Sequence, residues 1–312
     1  MQAPDTQMGL AFPRRVLSYG GGLDSFAMLL DAIERGDKPD LAVFCDVSNG
    51  NPEHGPEDPG EWSGTYRHIR EVVIPLCRKE NIEFVWLDTV RYPVRDAKSL
   101  FAWMWARGQI PVAGDDRLCT TIAKVERFET YMNERFPGEH VEVWIGFDAA
   151  ELRRVEKDPN AGGKKQKRKL RFVRTNRFPL IERNLCRCRC VELVRRLGYP
   201  VPRKSACVFC PYASLRDWQT LARQAPETFA KIAELEARKP PTSSGKKLSI
   251  MGFKTKKDET GAAIGYRAPA LPIYIQGKPR NKREPCSVCG AAQKATKETG
   301  CDWLEETGEA AA

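Results

Sequence analysis

The sequence predicts an α/β protein with a doubly wound, mostly parallel sheet, followed by a cysteine-rich helical C-terminal lobe. Four short apolar segments have the composition of buried strands: residues 15–17, 41–45, 82–87 and 141–145. Between them lie segments with apolar residues at helical spacing, at about 26–33, 65–79, 97–107 and 119–135. Repeated strand–helix units of this kind predict parallel strands with helices packed on the sheet.

Each element has its own signal in the chain. The first strand ends at a glycine-rich turn, and the helix after it ends near Gly36. The second strand is an uninterrupted apolar run that ends at Asp46, and a loop rich in Gly, Pro and Glu follows over 47–64. Ligands of such sheets bind outside the carboxyl ends of the strands, where Ser18–Ser25, Asp46 and Gly146 are expected to lie.

The character of the chain changes near residue 178, which predicts three regions. Residues 1–177 carry the signals of the α/β domain. Cysteines then cluster, and residues 215–238 have the spacing of one or two amphipathic helices interrupted near Pro226, which predicts a helical lobe over 178–238 packed on the first domain. Pro, Ser, Gly and Lys dominate from residue 239, so we expect a basic linker and a loosely ordered tail over 239–312.

The composition favours a soluble, cytoplasmic protein without a membrane partner. Charged residues make up 29% of the chain, and no apolar run approaches the ~20 residues of a membrane span. The N-terminus lacks the pattern of a secretory signal. The 11 cysteines are therefore expected to be thiols or metal ligands, and with only 3 histidines any metal site is mainly thiolate, which favours zinc or iron–sulfur.

Much of the net charge of +10 lies in local clusters. Residues 164–174, KKQKRKLRFVR, predict a basic loop, and contact with a nucleic-acid backbone is favoured over a merely solvated surface. For the smaller basic clusters at 246–257 and 278–283 both interpretations stay open.

The segment Ser18–Ser25, SYGGGLDS, joins the first strand to the first helix. Its three glycines allow the main chain to approach an anion closely, and the N–H groups and dipole of the helix point at the same place. Asp24 and Ser25 are suited to the first turn of that helix. The spacing differs from that of the Walker A and Rossmann loops, and an ordinary strand–helix turn is the alternative.

This string resembles the S-G-G-x-D-S loop of the PP-loop ATP pyrophosphatase superfamily, in the S-[FY]-G-G-G-x-D-S form of PAPS reductase-like proteins. Gly20 stands where the general motif has its first serine, which leaves Ser18 as the hydroxyl there. Four further segments resemble the family in the right order, so that the likeness spans residues 15 to about 236: Asp46 with Thr65-Tyr66; Arg117-Leu118-Cys119-Thr120 with Lys124; Gly146 to Glu151 with Arg154; and Phe178-Pro179-Leu180, Cys190 and Lys204–Tyr212 with Trp218.

The resemblance implies an adenine nucleotide alpha hydrolase-like fold and an enzyme that binds ATP and Mg²⁺. Such an enzyme cleaves ATP between the α- and β-phosphates and adenylates or sulfurates a substrate, here expected to be nucleic acid (tRNA or DNA), with a sulfur-donor protein as a further partner. It implies nucleotide-binding roles for Ser18, Gly20, Gly21, Gly22, Asp24, Ser25, Asp46, Arg117 and Gly146, and catalytic roles for Asp24, Lys124, Glu151 and Arg154. Because the loop has no lysine, the phosphates need cations from elsewhere, and Arg117, Lys124 and Arg154 are the candidates.

The spacing Cys207-x-x-Cys210 is typical of a metal site. Cys190 stands where the resembling family has its cysteine, so the predicted ligands are Cys119, Cys190, Cys207 and Cys210. By resemblance to the sulfur-inserting subunit of DNA phosphorothioation systems, they would hold a [4Fe–4S] cluster, whereas the sequence itself leaves zinc open. Cys286-x-x-Cys289 with Cys301 is a candidate second site that lacks a fourth ligand, and Cys45 and Cys77 are expected to be buried free thiols.

Two other functions stay open at this point. A PAPS reductase acting on a small nucleotide shares the loop, but the C-terminal E-C-G-[LI]-H segment of those enzymes is absent, and Cys119-Thr120 replaces the Cys-Cys pair of the adenylyl-sulfate branch. A non-catalytic metal protein that binds nucleic acid is compatible with glycine at position 20.

Overall fold

Five parallel strands form the central sheet of the computed structural model, in the order β3-β2-β1-β4-β5. They are β1 (Arg14–Ser18), β2 (Leu41–Cys45), β3 (Glu83–Leu87), β4 (His140–Ile145) and β5 (Val173–Arg177). All five residues of β2 are buried, as expected for a strand covered on both faces. The predicted α/β class with a parallel sheet and the four predicted strands are confirmed.

The structure describes residues 12–48, 57–113, 118–156, 170–203, 205–240, 249–257, 263–267, 270–277 and 286–289. Between β1 and β3 the helices are α1 (Leu23–Glu34), α2 (Ser63–His68) and α3 (Ile74–Lys79), with a π-helical turn at Ile69–Val73. Between β3 and β4 they are α4 (Leu100–Arg107), α5 (Leu118–Thr120) and α6 (Glu126–Arg135), with a π-helical turn at Thr121–Val125.

A 3-10 turn at Ala149–Glu151 and α7 (Leu152–Glu156) follow β4. After β5 come α8 (Pro179–Glu182), α9 (Arg187–Arg196), α10 (Leu215–Gln224), α11 (Pro226–Arg238) and α12 (Leu271–Tyr274). The break predicted near Pro226 is confirmed, because this proline occupies the first turn of α11, where its missing N–H is not needed.

Helices cover both faces of the sheet. On one face α1 and α9 pack against each other, with Phe26 and Leu30 in the same core as Val191 and Val194. On the other face Phe128 and Met132 of α6 pack against β2 and β4. A second core joins α10 and α11 to α4, and Trp218 is its largest fully buried side chain.

Two features differ from the expectation. Strand β5 was not predicted, because VRTNR has little apolar character. Among the described strands it pairs with β4 alone and lies at the edge of the sheet. The region from 239 onward contains an antiparallel pair, β6 (Phe253–Lys257) and β7 (Ala263–Arg267), which its composition did not predict. The domain boundaries at 177 and 238 stay a prediction. Across the described ranges, no helix combines the length and the apolar character needed to span a bilayer.

Candidate functional site

The candidate site lies between β1 and β4, where successive strands change from being added on one side of the sheet to being added on the other. From the central strand β1 the chain continues to β2 on one side, while β4 lies on the other, and Ser18 at the end of β1 pairs with Ile145 at the end of β4. A crevice at the carboxyl ends of the strands is the usual ligand position at such a reversal. Gly146 follows β4, and a Cβ there would lie 3.2 Å from the Ser25 nitrogen, so glycine lets the two loops pack closely.

The three loop glycines differ in what they require. Gly21 has φ +77°, and a Cβ on it would lie 2.7 Å from Thr65 Cγ2. A Cβ on Gly22 would lie 3.0 Å from both the nitrogen and the Cβ of Ser205. At Gly20 the nearest atom would be 3.8 Å away, so this position does not sterically require glycine. Gly21 and Gly22 therefore allow two other segments to close on the loop.

The first turn of α1 offers donors to an anion. Gly22 is its N-cap and has no side chain to accept from the helix. The N–H groups of the first residues of any α-helix have no carbonyl partner within the helix, and they carry the positive end of its dipole. Ser25, in this turn, donates its own hydroxyl back to the Gly22 carbonyl over 3.0 Å.

A chain of polar contacts links the glycine loop to a lysine. Ser205 Oγ is hydrogen-bonded to the Gly20 carbonyl and lies 3.0 Å from Glu61 Oε2. The Glu61 side chain is fully buried, and its Oε1 accepts from Lys124 Nζ over 2.7 Å. Burial by itself lowers the pKa of Lys124, but Glu61 and neighbouring groups outweigh it and raise that pKa above its ordinary value. Lys124 is therefore held as a cation.

Asp46, a predicted nucleotide-binding residue, accepts hydrogen bonds from other residues of the protein. Its side chain is fully buried. Oδ1 accepts from Tyr66 Oη over 2.7 Å and from both the nitrogen and hydroxyl of Ser48, while Oδ2 accepts from Trp86 Nε1 over 3.1 Å. Burial first, and then the nearby Asp46 and Glu61, raise the pKa of Tyr66, which stays protonated and able to donate. Contact between Asp46 and a nucleotide stays a prediction.

Thr65 brings a hydroxyl to the glycine loop. Its Cγ2 faces Gly21, and its side chain is buried. Within the described part of the chain, Thr65 Oγ1 has no hydrogen-bond partner. A buried hydroxyl without a partner is costly, so a ligand oxygen in the loop would satisfy it.

The other predicted catalytic residues lie near the same edge of the sheet. Asp24 is in the first turn of α1, where its Oδ2 is 3.5 Å from Arg187 Nη1. Glu151 and Arg154 follow β4 and pair with each other over 2.5 Å in a partly exposed position. The guanidinium carbon of Arg154 lies 3.9 Å from the centre of the Phe147 ring. Arg117, the remaining predicted cation, lies outside the described residues.

Two arginines near the site were not predicted. Arg187 of α9 reaches Asp24, as stated above. Arg127 of α6 is buried, and its guanidinium donates to carbonyls at the carboxyl ends of β2 and β3, including those of Asp46 and Leu87. Burial is the main reason why the pKa of Arg127 lies below its ordinary value. The sequence does not distinguish Arg127 from the other charged residues of the amphipathic helix α6.

The predicted metal ligands fall into two places. Burial, then Glu61, raise the pKa of Cys207 well above its usual range, and the neighbouring thiols of Cys210 and Cys119 raise it further while Lys124 lowers it. Cys207 thus lies near Lys124, Cys210 and Cys119. Cys190 is instead fully buried in the core between α1 and α9, where burial and then Asp24 raise the pKa of its thiol. A [4Fe–4S] cluster on this quartet stays a prediction.

A different group of cysteines is close enough together to bind a metal. The Sγ atoms of Cys186, Cys188, Cys286 and Cys289 all lie within 4.8 Å of one another, and no other such group of three or more Cys, His, Asp or Glu occurs in the described ranges. Cys286 and Cys289 thus lie next to Cys186 and Cys188, which are about 100 residues upstream in the chain. Cys301, which was predicted as their partner, lies outside the described residues. The signal in the sequence was two short-spaced cysteine pairs, each of which supplies half of a tetrahedral site.

Some predictions concern regions only partly described. Residues 157–169, with most of the basic loop, lie outside the described residues, as do 241–248, 278–285 and the side chains of 253–257. At the end of the basic loop, Arg174 forms a buried pair with Glu129 over 3.0 Å. Cys45 and Cys77 are buried free thiols, as predicted, and burial raises their pKa values to about 11 and about 12.

No family model matches the chain, and no curated protein matches it either.

Proposed function

We propose that the protein is an enzyme of the PP-loop ATP pyrophosphatase type, which cleaves ATP between the α- and β-phosphates and adenylates or sulfurates a nucleic acid. The observation that carries this proposal is the convergence of separate motif segments on one loop. Thr65, Gly146 and Ser205 each pack against the Gly20–Ser25 segment, and Lys124 is joined to it through Glu61. These segments are far apart in the chain, and the resemblance named all but Glu61.

The geometry suits a pyrophosphate leaving group. When a nucleophile attacks the α-phosphorus, the bond from that phosphorus to the α–β bridging oxygen breaks, and the electron pair leaves on pyrophosphate. The donors of the first turn of α1 and the partnerless Thr65 hydroxyl can then stabilise the negative charge that develops. Asp24 offers a carboxylate in the same turn to a Mg²⁺ carried by the phosphates.

The proposal is tested by product analysis. The protein is incubated with ATP labelled at the α-phosphate, Mg²⁺ and either tRNA or DNA. We expect AMP, or AMP attached to the acceptor, in equal amount to pyrophosphate. ADP and phosphate as products, or salt-sensitive nucleic-acid binding without any turnover, contradict the proposal.

Two variants tie the activity to the loop. Gly22→Ala forces Ser205 away from the loop, and Asp24→Ala removes the carboxylate, so we expect each to lower kcat/KM by on the order of 10²-fold. The matched control is Gly36→Ala at the other end of α1, where an added Cβ meets nothing within 4 Å, and there the activity should stay within about twofold of the parent. Equal activities of all three variants would refute the assignment of the site.

The sulfur-transfer part of the proposal needs an iron–sulfur cluster, and the predicted quartet is tested separately because Cys190 packs in a different core from Cys119 and Cys207. Iron and acid-labile sulfide in protein purified without oxygen, both lost on Cys207→Ser, support sulfur transfer by this enzyme. If Cys207→Ser leaves the iron and sulfide content unchanged, the cluster is not held by this quartet.

A further inference from the structure

We infer that Cys186, Cys188, Cys286 and Cys289 bind a single zinc ion, and this inference does not depend on the function proposed above. A tetrahedral zinc with Zn–S bonds of about 2.3 Å holds its sulfurs about 3.8 Å apart. The four Sγ atoms lie within 4.8 Å of one another, close to that spacing. A [4Fe–4S] cluster binds each thiolate through a different iron, which needs a wider arrangement.

The position of Cys186 suits a metal-bound thiolate. Cys186 is the N-cap of α9 in an extended conformation (φ −79°, ψ 166°), so it lies at the end of the helix that carries the positive end of the dipole.

The same arrangement explains the short Cys-x-Cys spacing. Because residue 186 is extended while residue 188 is already in the first turn of the helix, both side chains reach the same side. Cys186 is fully buried, Cys188 and Cys286 nearly so, and the partly buried Ala149 and Val288 pack against them. The hydrogen bond from the Ala149 nitrogen to the Leu185 carbonyl (3.0 Å) holds this cover in place. Three of the four cysteines are thus buried and Cys289 is partly buried, which is typical of a structural zinc site.

The zinc site also borders the glycine loop. Arg187 stands between two of the ligands in the chain, and its Nη1 is 3.5 Å from Asp24 Oδ2. A metal that fixes residues 186 and 188 thereby fixes the backbone from which Arg187 reaches the loop.

The experiment uses the full chain, expressed in zinc-supplemented medium and purified without oxygen. We expect about one zinc per chain by elemental analysis, with an X-ray absorption spectrum that fits four sulfurs at about 2.3 Å. Cys289→Ser should lose the zinc. The matched control is Cys210→Ser, since both residues are the partly buried second cysteine of a Cys-x-x-Cys pair, and this variant should keep the zinc.

A second measurement decides the question if Cys289→Ser does not fold. The wild-type protein is alkylated with and without a zinc chelator, and mass spectrometry identifies the modified thiols. We expect Cys186, Cys188, Cys286 and Cys289 to become reactive together, and only after chelation. Iron with sulfide in place of zinc, disulfides among the four cysteines, absence of metal, or zinc that survives Cys289→Ser each overturns the inference.

Discussion

Substitution of Gly21 tests the geometry of the loop by stability alone. In Gly21→Ala the backbone would keep φ near +77°, which costs a residue with a Cβ about 1–2 kcal/mol. The new methyl would also lie 2.7 Å from Thr65 Cγ2 and 3.3 Å from Phe44 Cε2, and displacing such buried neighbours costs about 1–3 kcal/mol more. The free energy of unfolding should therefore fall by about 2–5 kcal/mol.

A matched variant separates the two contributions. Gly36 has a similar φ of +71°, but a Cβ there meets nothing within 4 Å, so Gly36→Ala should show the backbone cost alone. Urea unfolding followed by circular dichroism gives both values. The Gly21→Ala variant should be the less stable of the two by about 1–3 kcal/mol.

A double-mutant cycle then identifies the neighbour. Thr65→Ser removes the Cγ2 methyl that the new Cβ would meet, so Gly21→Ala should cost less in the Thr65→Ser background, with a coupling energy of about 1 kcal/mol or more. If the coupling is near zero, or if Gly21→Ala costs no more than Gly36→Ala, Thr65 does not pack against the loop as described. The convergence on which the proposed function depends would then be wrong.

The remaining predictions concern buried charge. Burial lowers the pKa of His68 to about 4, and since an unfolded histidine titrates near 6.5, the folded state should lose about 3 kcal/mol of stability as the pH falls from about 6.5 to 4. Neither ring nitrogen has a partner among the described residues, so His68→Phe should remove this pH dependence, whereas His140→Phe at an exposed position should leave it unchanged in urea titrations at pH 7 and 4.5. Arg127→Met removes one charged donor from each of four carbonyls, of which those of Leu87 and Asp88 keep a backbone N–H, and should lower the free energy of unfolding by at least about 3 kcal/mol. Arg135→Met on the same helix breaks an exposed pair with Glu83 and a contact with the Phe136 ring, and should cost less than about 1 kcal/mol. Equal effects would show that Arg127 does not hold the strand ends together.

The sheet was predictable where strands are buried on both faces. Residues 41–45 form an uninterrupted apolar run, and only a central strand readily accounts for it. Strand β5 was not predicted because it lies at the edge of the sheet and makes polar contacts, such as the pair between Arg174 and Glu129, in place of apolar burial. A segment of this kind carries no periodic signal, and only its pairing with β4 makes it a strand.

The candidate site was predictable where its residues are adjacent in the chain. The glycine loop is one such string, and its position between a strand and a helix followed from local signals. Glu61 was missed because it lies in a loop of ordinary composition, and its burial between Lys124 and Ser205 depends on tertiary packing. The sequence pointed to Cys286 and Cys289 as a candidate site but not to Cys186 and Cys188 as their partners, since spacing along a chain does not show which distant pairs meet.

The position of β1 and α1 in the fold affects how the protein can be made. The first strand has β4 as one of its neighbours, and α1 is covered by α9, which ends about 160 residues after α1 does. At a synthesis rate of ~5–20 residues per second, about 8–30 s pass between the synthesis of α1 and the synthesis of α9, which packs on its apolar face. During that interval Phe26, Leu29 and Leu30 are exposed on the growing chain. We therefore expect slower translation between residues 34 and 196 to raise the fraction of the protein that aggregates, unless a chaperone shields these side chains.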